Sequence, residues 1–177
     1  FKHYLQSIRV VELLENHGKG LNLSKEVRDG IRNHQMSTTP FTLEGRVVRI
    51  SDKIAYIHHD TDDAIRAGII REDDIPREYK DVLGDSLGTR LNTLIYDIIN
   101  NSEGKNDIIM SPEIENAMAG LREYMFSSVY TNKKAKSQEE QAARLLKQLF
   151  EYYQENLEQL PIEYYVRIKE LNDPPYQ

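Results

Sequence analysis

The chain has 177 residues, 39% hydrophobic and 29% charged, with a mean hydropathy of −0.64 and a formal net charge of −6. That length suffices for one ordinary domain with its own core, and no apolar run approaches the roughly 20 residues that a membrane-spanning helix needs. Zero cysteines exclude disulfides and every cysteine-ligated zinc or redox site, which leaves His and carboxylates as the strong metal ligands, and the acidic balance argues against a large sequence-independent nucleic-acid footprint.

Phe1 to His17 carries Leu5, Ile8, Val11 and Leu14 at helical spacing and stops at Gly18-Lys19-Gly20. Ser24 caps a predicted short helix, SKEVRDGIRNH, with Val27 and Ile31 turned inward, and the polar run Gln35 to Pro40 closes it. Thr42 to Ala67 follows, the stretch whose two faces differ most. At about 100° per residue, Leu43, Val47, Ile50, Ile54, Ile57 and Ile65 fall on one side, and Asp52, Tyr56, His59, Asp60 and Asp63 on the other. The polar side is either a solvated face or one wall of a site. Gly68 is a natural helix terminator there, and the acidic stretch Ile69 to Gly84, containing Pro76, reads as a turn and a short helix.

From Ser86, a core helix places Leu87, Leu91, Leu94, Ile95 and Ile98 on one stripe and ends at Asn100-Asn101. Ser111-Pro112 gives an N-cap followed by proline at the first helical position, opening a helix that runs through Glu123 toward Val129. Ser137 to Glu140 reads as a capping box opening another helix with Ala142, Leu145, Leu146, Leu149 and Tyr153 inward. Pro161 starts the last helix and Asn172-Asp173-Pro174-Pro175 ends it. No segment shows sustained alternation of period two, so the expected class is all-α. One helical domain spans 1–177. Because the chain opens at Phe1, without an initiator Met and inside a predicted helix, it reads as part of a longer polypeptide, and the expected compartment is the cytoplasm.

His58-His59-Asp60 has the composition of a metal-binding doublet. Adjacent helical residues point about 100° apart, however, so His58 and His59 cannot both face one ion. Asp52, Lys53, Tyr56 and Asp60 form a second group, a carboxylate, an ammonium, a phenol and a carboxylate within two turns. Such a set is either a surface ion-pair network or the means to hold a metal, a phosphate and a sugar hydroxyl.

The run LEGRVVRISDKIAYIHHDTDDAIRAGII resembles a stretch that reads ADRIAYINHDIDDAIRAG in its usual form within the deoxyguanosine triphosphate triphosphohydrolase family of HD-domain phosphohydrolases. FKHYLQSIRVVELLE and GLNLSKEVRDGIRNH resemble that family's segments F-x-H-N-x-Q-S-x-R and L-x-x-x-V-R-D-G-I-x-N-H. LREYMFSSVY and LFEYYQENLEQLP are similar to its C-terminal helices. The resemblance covers nearly the whole chain and is to the C-terminal portion of a helical HD-domain-like bundle.

It implies hydrolysis of dGTP or another deoxynucleoside triphosphate to the deoxynucleoside and tripolyphosphate, at a divalent metal, Mg²⁺ or Mn²⁺. By the resemblance Asp52 is a metal ligand, Tyr56 packs against the deoxyribose, Asp60 accepts from its 3′-hydroxyl, Lys53 contacts phosphate, and His3 stands near the scissile phosphate, able to stabilise charge or protonate the leaving oxygen. The family's remaining ligands, a His and a His-Asp doublet, lie upstream of the position matching Phe1, so the metal is not fully liganded by this chain. Tyr4 and Leu5 stand where the family usually has Asn and an acidic residue. The resemblance further implies a homo-oligomer. The alternative is a non-catalytic helical regulatory or interaction domain. In it Lys133-Lys134-Ala135-Lys136 is either a solvated loop or a site for an effector nucleotide or nucleic acid.

Overall fold

Thr42 accepts a hydrogen bond from the Gly45 amide at 3.1 Å, and the helix it caps, Leu43–Arg66, is the longest of the first of two compact units. The computed structural model describes residues 2–35, 37–131 and 133–171, the side chains of 133–139, 167 and 171 lying outside it. Eight helices and no strand occur among the described residues, so the all-α expectation holds. The units are Phe1–Tyr130 and Thr131–Gln177.

In the first unit α1 (His3–Arg9) runs into a π-helical turn at Val10–Leu14. The predicted helix to His17 ends earlier than expected. Asn16 and His17 take left-handed φ of 55° and 54°, and the Gly20 amide donates to Glu15 at 3.0 Å while the Leu21 amide donates to Val11 at 2.8 Å. Asn tolerates that region better than most residues, so the reversal begins before Gly18. Helix α2 (Lys25–Arg32) starts where the Ser24 cap predicts, the Ser24 hydroxyl accepting from the Val27 amide at 3.4 Å. Val27 is exposed rather than inward.

Helix α3 is Leu43–Arg66. Its buried positions are Gly45, Ile54, Ile57, His58, Thr61 and Ala64. The predicted apolar stripe is therefore half right, because Leu43 and Val47 stay exposed. The reason is where α2 lands. Gly30 and Gly45 let the two backbones approach, a Cβ at Gly30 falling 3.7 Å from the Gly45 Cα, and Gly45 points roughly opposite to Leu43 and Val47 on a helix of 3.6 residues per turn.

Gly68, at φ 63°, ends α3 as its sequence position predicts. A 3₁₀ turn at Glu72–Asp74 and α4 (Arg77–Leu83) occupy the acidic stretch. Helix α5 (Leu87–Ser102) begins at the Ser86 cap, with the Thr89 side chain accepting in return from the Ser86 amide at 2.9 Å. Its buried side carries Leu94 and, unexpectedly, Arg90, while Ile95 is exposed. Helix α6 (Pro112–Met125) starts at Ser111 as predicted and passes into a π-helical turn at Phe126–Tyr130.

The core is the meeting of α3, α4, α5 and α6. Ile54, Ile57 and Ala64 of α3 share it with Leu83, Leu94, and Ile114, Ala117, Met118, Leu121 and Met125 of α6. Fully burying side chains of this size is worth about 1.5–3 kcal/mol each before the entropy of ordering them. The α3 hydroxyl inside this core is satisfied, Thr61 donating to the Ile57 carbonyl at 2.7 Å.

In the second unit α7 (Lys133–Glu155) begins four residues before Ser137, so the predicted capping box lies inside the helix. Lys133 to Lys136 are good helix formers and extend it upstream, which also makes the lysine cluster helical rather than a loop. Leu145 and Leu146, predicted to be inward, are each 66% exposed, and Leu149 is exposed as well. The unit's other described elements, a 3₁₀ turn at Leu157–Gln159 and α8 (Ile162–Leu171), do not cover that face. The predicted end of the last helix at Asn172 to Pro175 lies outside the described residues. No helix among the described residues is long and apolar enough to cross a membrane.

A Cβ placed on Gly120 of α6 would fall 2.3 Å from Cε1 of the Tyr79 ring of α4, closer than van der Waals contact allows. Gly120→Ala is therefore expected to destabilise the protein by about 1–3 kcal/mol, read as a lower urea midpoint with an unchanged slope.

Candidate functional site

The four residues singled out on the central helix sit together on α3. Asp52 and Tyr56 are exposed, and Lys53 and Asp60 are half-buried. Lys53 extends toward Glu115 of α6, with Nζ 3.9 Å from Oε1. A pair that long, with Glu115 largely in water, contributes little and leaves the ammonium free to exchange partners.

Tyr56 stacks on Tyr130, with ring centroids 6.5 Å apart and planes 26° apart, and the Tyr130 hydroxyl donates to Asp60 Oδ2. Phe126 meets the Tyr130 ring edge-on at 6.1 Å. Burial first, then donation to Asp60 and the nearness of Tyr56, raise the Tyr130 pKa above the ordinary tyrosine value. The phenol therefore keeps its proton and serves as a donor. It holds one Asp60 oxygen and leaves the other for a ligand. Alongside runs a groove whose polar side is Asp60, Asp63 and Tyr130 and whose apolar side is Ala64, Ala67, Ile69 and Val129.

Tyr130 is the residue that sequence reasoning missed. It lies 70 positions from Asp60, at the end of the π-helical turn that continues α6. The apolar spacing of Leu121, Met125 and Val129 points to a buried stripe there, but nothing local points to a partner on α3. Turns of this kind recur at functional sites.

His3 is not brought to this group by any described contact. Exposed on α1, it sets its ring against Tyr4 at 5.9 Å and His34 at 5.2 Å. His34 is itself fixed by a 2.6 Å hydrogen bond between Nδ1 and the Ile31 carbonyl.

The histidine doublet separates as helical geometry requires, His59 being exposed and His58 2% exposed. Neither His58 ring nitrogen has a hydrogen-bond partner among the described residues. Arg90, also 2% exposed, lies close enough to act on it and is paired through Nη1 with Glu72. Burial first, then the charges of Arg90 and His59, push the His58 pKa down to about 4.

Asp52 makes no hydrogen bond or ion pair to another described residue. No group of three or more His, Asp or Glu among the described residues converges on a point where an ion would sit. Among the described residues the donor set does not make up a metal centre.

The chain is all-α among the described residues, and residues 108–175 match the phosphohydrolase-associated domain family. It is 52% identical over 171 residues to a deoxyguanosinetriphosphate triphosphohydrolase-like protein of Caldanaerobacter subterraneus subsp. tengcongensis, covering 97% of this chain and 50% of that one. Proteins of the same description from Clostridium tetani and Clostridium perfringens strain 13 are 44% and 42% identical over 96% and 91% of this chain and 52% and 50% of theirs. The chain belongs to the deoxyguanosinetriphosphate triphosphohydrolase-like family. It spans about half the length of the relatives it matches.

Two expectations follow. The 177-residue chain alone should bind no stoichiometric tight Mn²⁺ by isothermal titration; tight one-to-one binding would mean that residues other than Asp52 complete a site. The second concerns acid stability. His58 is neutral in both folded and unfolded chains above its ordinary value of 6.5. As pH falls from 6.5 to about 4, the unfolded chain takes up a proton that the folded chain does not. Stability is therefore lost as pH falls through that window, by about 1–2 kcal/mol after allowance for solvent screening. His58→Leu should flatten this limb relative to wild type in urea melts at stepped pH.

Proposed function

We propose that this chain forms the nucleoside-binding side of a cytoplasmic deoxynucleoside triphosphate triphosphohydrolase, an enzyme that releases tripolyphosphate from dGTP or another dNTP. The observation that carries the reading is the pairing of Tyr130 with Asp60 beneath the Tyr56 stack. Tyr56 and Asp60 stand at the positions that the resemblance assigns to the deoxyribose, and Tyr130 joins them. The name that the relatives carry, deoxyguanosinetriphosphate triphosphohydrolase-like protein, supports the same substrate class.

The described residues act on the nucleoside end of the substrate rather than on a metal. Tyr130 donates to one Asp60 oxygen, which fixes the carboxylate and aims its other oxygen outward as an acceptor. A 3′-hydroxyl would donate to that oxygen, and the exposed Tyr56 ring would pack on the sugar's apolar face. A site built to pair with a hydroxyl rejects analogues that lack it, because its own polar group is then left unpaired. Lys53, released from its long contact with Glu115, would meet phosphate oxygen as a point charge. Asp52 lies one helical turn before Tyr56, on the phosphate side of this line, where it would supply one metal ligand. His3 belongs to the same reading as a group near the scissile phosphate, brought there in the complete protein. Assembly as a homo-oligomer is part of it too.

The test is turnover by the full-length protein, followed as tripolyphosphate released from each dNTP with Mn²⁺ or Mg²⁺ present. Asp52→Ala is expected to reduce it below detection. Tyr130→Phe should lower kcat/KM about tenfold, the worth of one hydrogen bond to a charged group. Asp60→Ala should lower it by at least about a hundredfold, and a wild-type substrate lacking the 3′-hydroxyl should lose a similar factor. Full activity in Asp52→Ala, or equal turnover with and without the 3′-hydroxyl, would refute the reading.

A further inference from the structure

A histidine that stabilises charge or hands over a proton works from one ring orientation, which a hydrogen bond to its far nitrogen ordinarily fixes. Among the described residues the His3 side chain makes no hydrogen bond or ion pair. Its ring contacts are Tyr4, its neighbour in sequence, and His34, which comes from another element and lies closer, at 5.2 Å between centroids. The group in place to orient this imidazole is therefore a second imidazole. His34 is half-buried just past the end of α2, and both of its neighbours are tied down. Asn33 returns to Asp29 twice, its amide to the carbonyl at 2.9 Å and its side chain to Oδ1 at 2.7 Å, while the other Asp29 oxygen accepts from the Phe41 amide at 2.9 Å. The Gln35 carbonyl accepts from Arg49 Nε of α3 at 3.3 Å.

The ring of His34 is fixed as well as its backbone. A carbonyl only accepts, so the 2.6 Å bond between Nδ1 and the Ile31 carbonyl means that Nδ1 carries a proton. Neutral His34 then has Nε2 as its acceptor. Two imidazoles joined edge to edge by one N–H···N bond of about 3 Å have centroids about 5 Å apart, which is the separation found here, with the planes 61° from each other. Bonds within a catalytic group are often poorly aligned before the substrate arrives, and turning the exposed His3 ring is the motion that closes this one. We propose that His34 is a positioning residue for His3: its Nε2 accepts from one His3 ring nitrogen, so that the other is turned toward the scissile phosphate. This rests on the reading in which His3 stands near that phosphate.

The experiment measures kcat and KM of the full-length protein on the dNTP it turns over best, for wild type, His34→Asn and His34→Gln. The two amides divide the ring between them. Asn sets its amide nitrogen near the place of Nδ1 and keeps a donor for the Ile31 carbonyl, whereas Gln reaches the place of Nε2 and keeps an acceptor for His3. The expected result is a kcat at least about tenfold lower in His34→Asn with KM within about threefold of wild type, and recovery of most of that loss in His34→Gln. A residue that only ends α2 gives the opposite order, with His34→Asn active and His34→Gln impaired. That order overturns the inference, as does wild-type kcat in both variants or an equal loss in both. Should wild type hydrolyse no dNTP, the triphosphohydrolase reading falls separately. In that case, or if a circular-dichroism melt shows a variant unfolded, the inference is read in wild-type protein from the nitrogen-15 shifts of the His3 ring, at a pH where imidazoles are neutral. One dominant tautomer upholds it, and two in rapid exchange overturn it.

Discussion

Helix α3 cannot turn about its own axis without carrying Ile54 or Ile57 into water, and the rest of the first unit depends on that constraint. Both side chains belong to the buried cluster that also holds Ala117, Met118 and Leu121 of α6, and exposing one costs about 1.5–3 kcal/mol. Side chains on the opposite arc are thereby aimed outward. Tyr56 follows Ile54 by two positions and precedes Ile57 by one, so its neighbours' burial turns it outward, where it stacks on Tyr130. The same packing holds Met125 and Val129 at the far end of α6, which delivers Tyr130 to Asp60. A single apolar interface thus fixes both partners of the hydrogen bond on which the candidate site is built.

Polar groups inside this unit are few, and they differ in how they are satisfied. Thr61 returns its hydroxyl to its own helix at 2.7 Å and costs little. Arg90 is paired with Glu72 and so joins α5 to the 3₁₀ turn that follows α3. A buried ion pair of this kind rarely adds net stability over an apolar replacement, yet losing one partner strands the other charge. His58 sits beside that pair as a neutral ring, and its neutrality is what the buried cation requires. Among the described residues the buried charge is Arg90, paired with the part-buried Glu72.

The outer face works by a different principle. Around Asp60 the groove offers acceptors to a ligand, stiffened by a phenol that keeps its proton and by a stacked aromatic pair. Pre-organised acceptors of this sort discriminate through the cost of leaving them unpaired. Among the described residues no cluster of His, Asp or Glu makes up a metal centre.

The sequence by itself determined where four of the eight described helices begin, because caps are local. Ser24, Thr42, Ser86 and Ser111 each accept from an amide three residues on, and such a bond needs no other part of the chain. It likewise determined that one face of α3 is polar, that His58 and His59 diverge, and, through a run of matching residues, which family the chain belongs to. Tertiary structure decided how far along α3 the apolar stripe is covered, since Gly30 and Gly45 bring α2 to a side that the stripe does not occupy. It decided that Arg90 rather than Ile95 is buried on α5, because the counter-ion Glu72 lies 18 residues away. It also decided that Ser137 is interior to its helix and that Leu145 and Leu146 are exposed. Above all it brought Tyr130 to Asp60. Periodicity records which side of a helix is apolar, but which residue meets which across a core depends on crossing positions that no local pattern encodes.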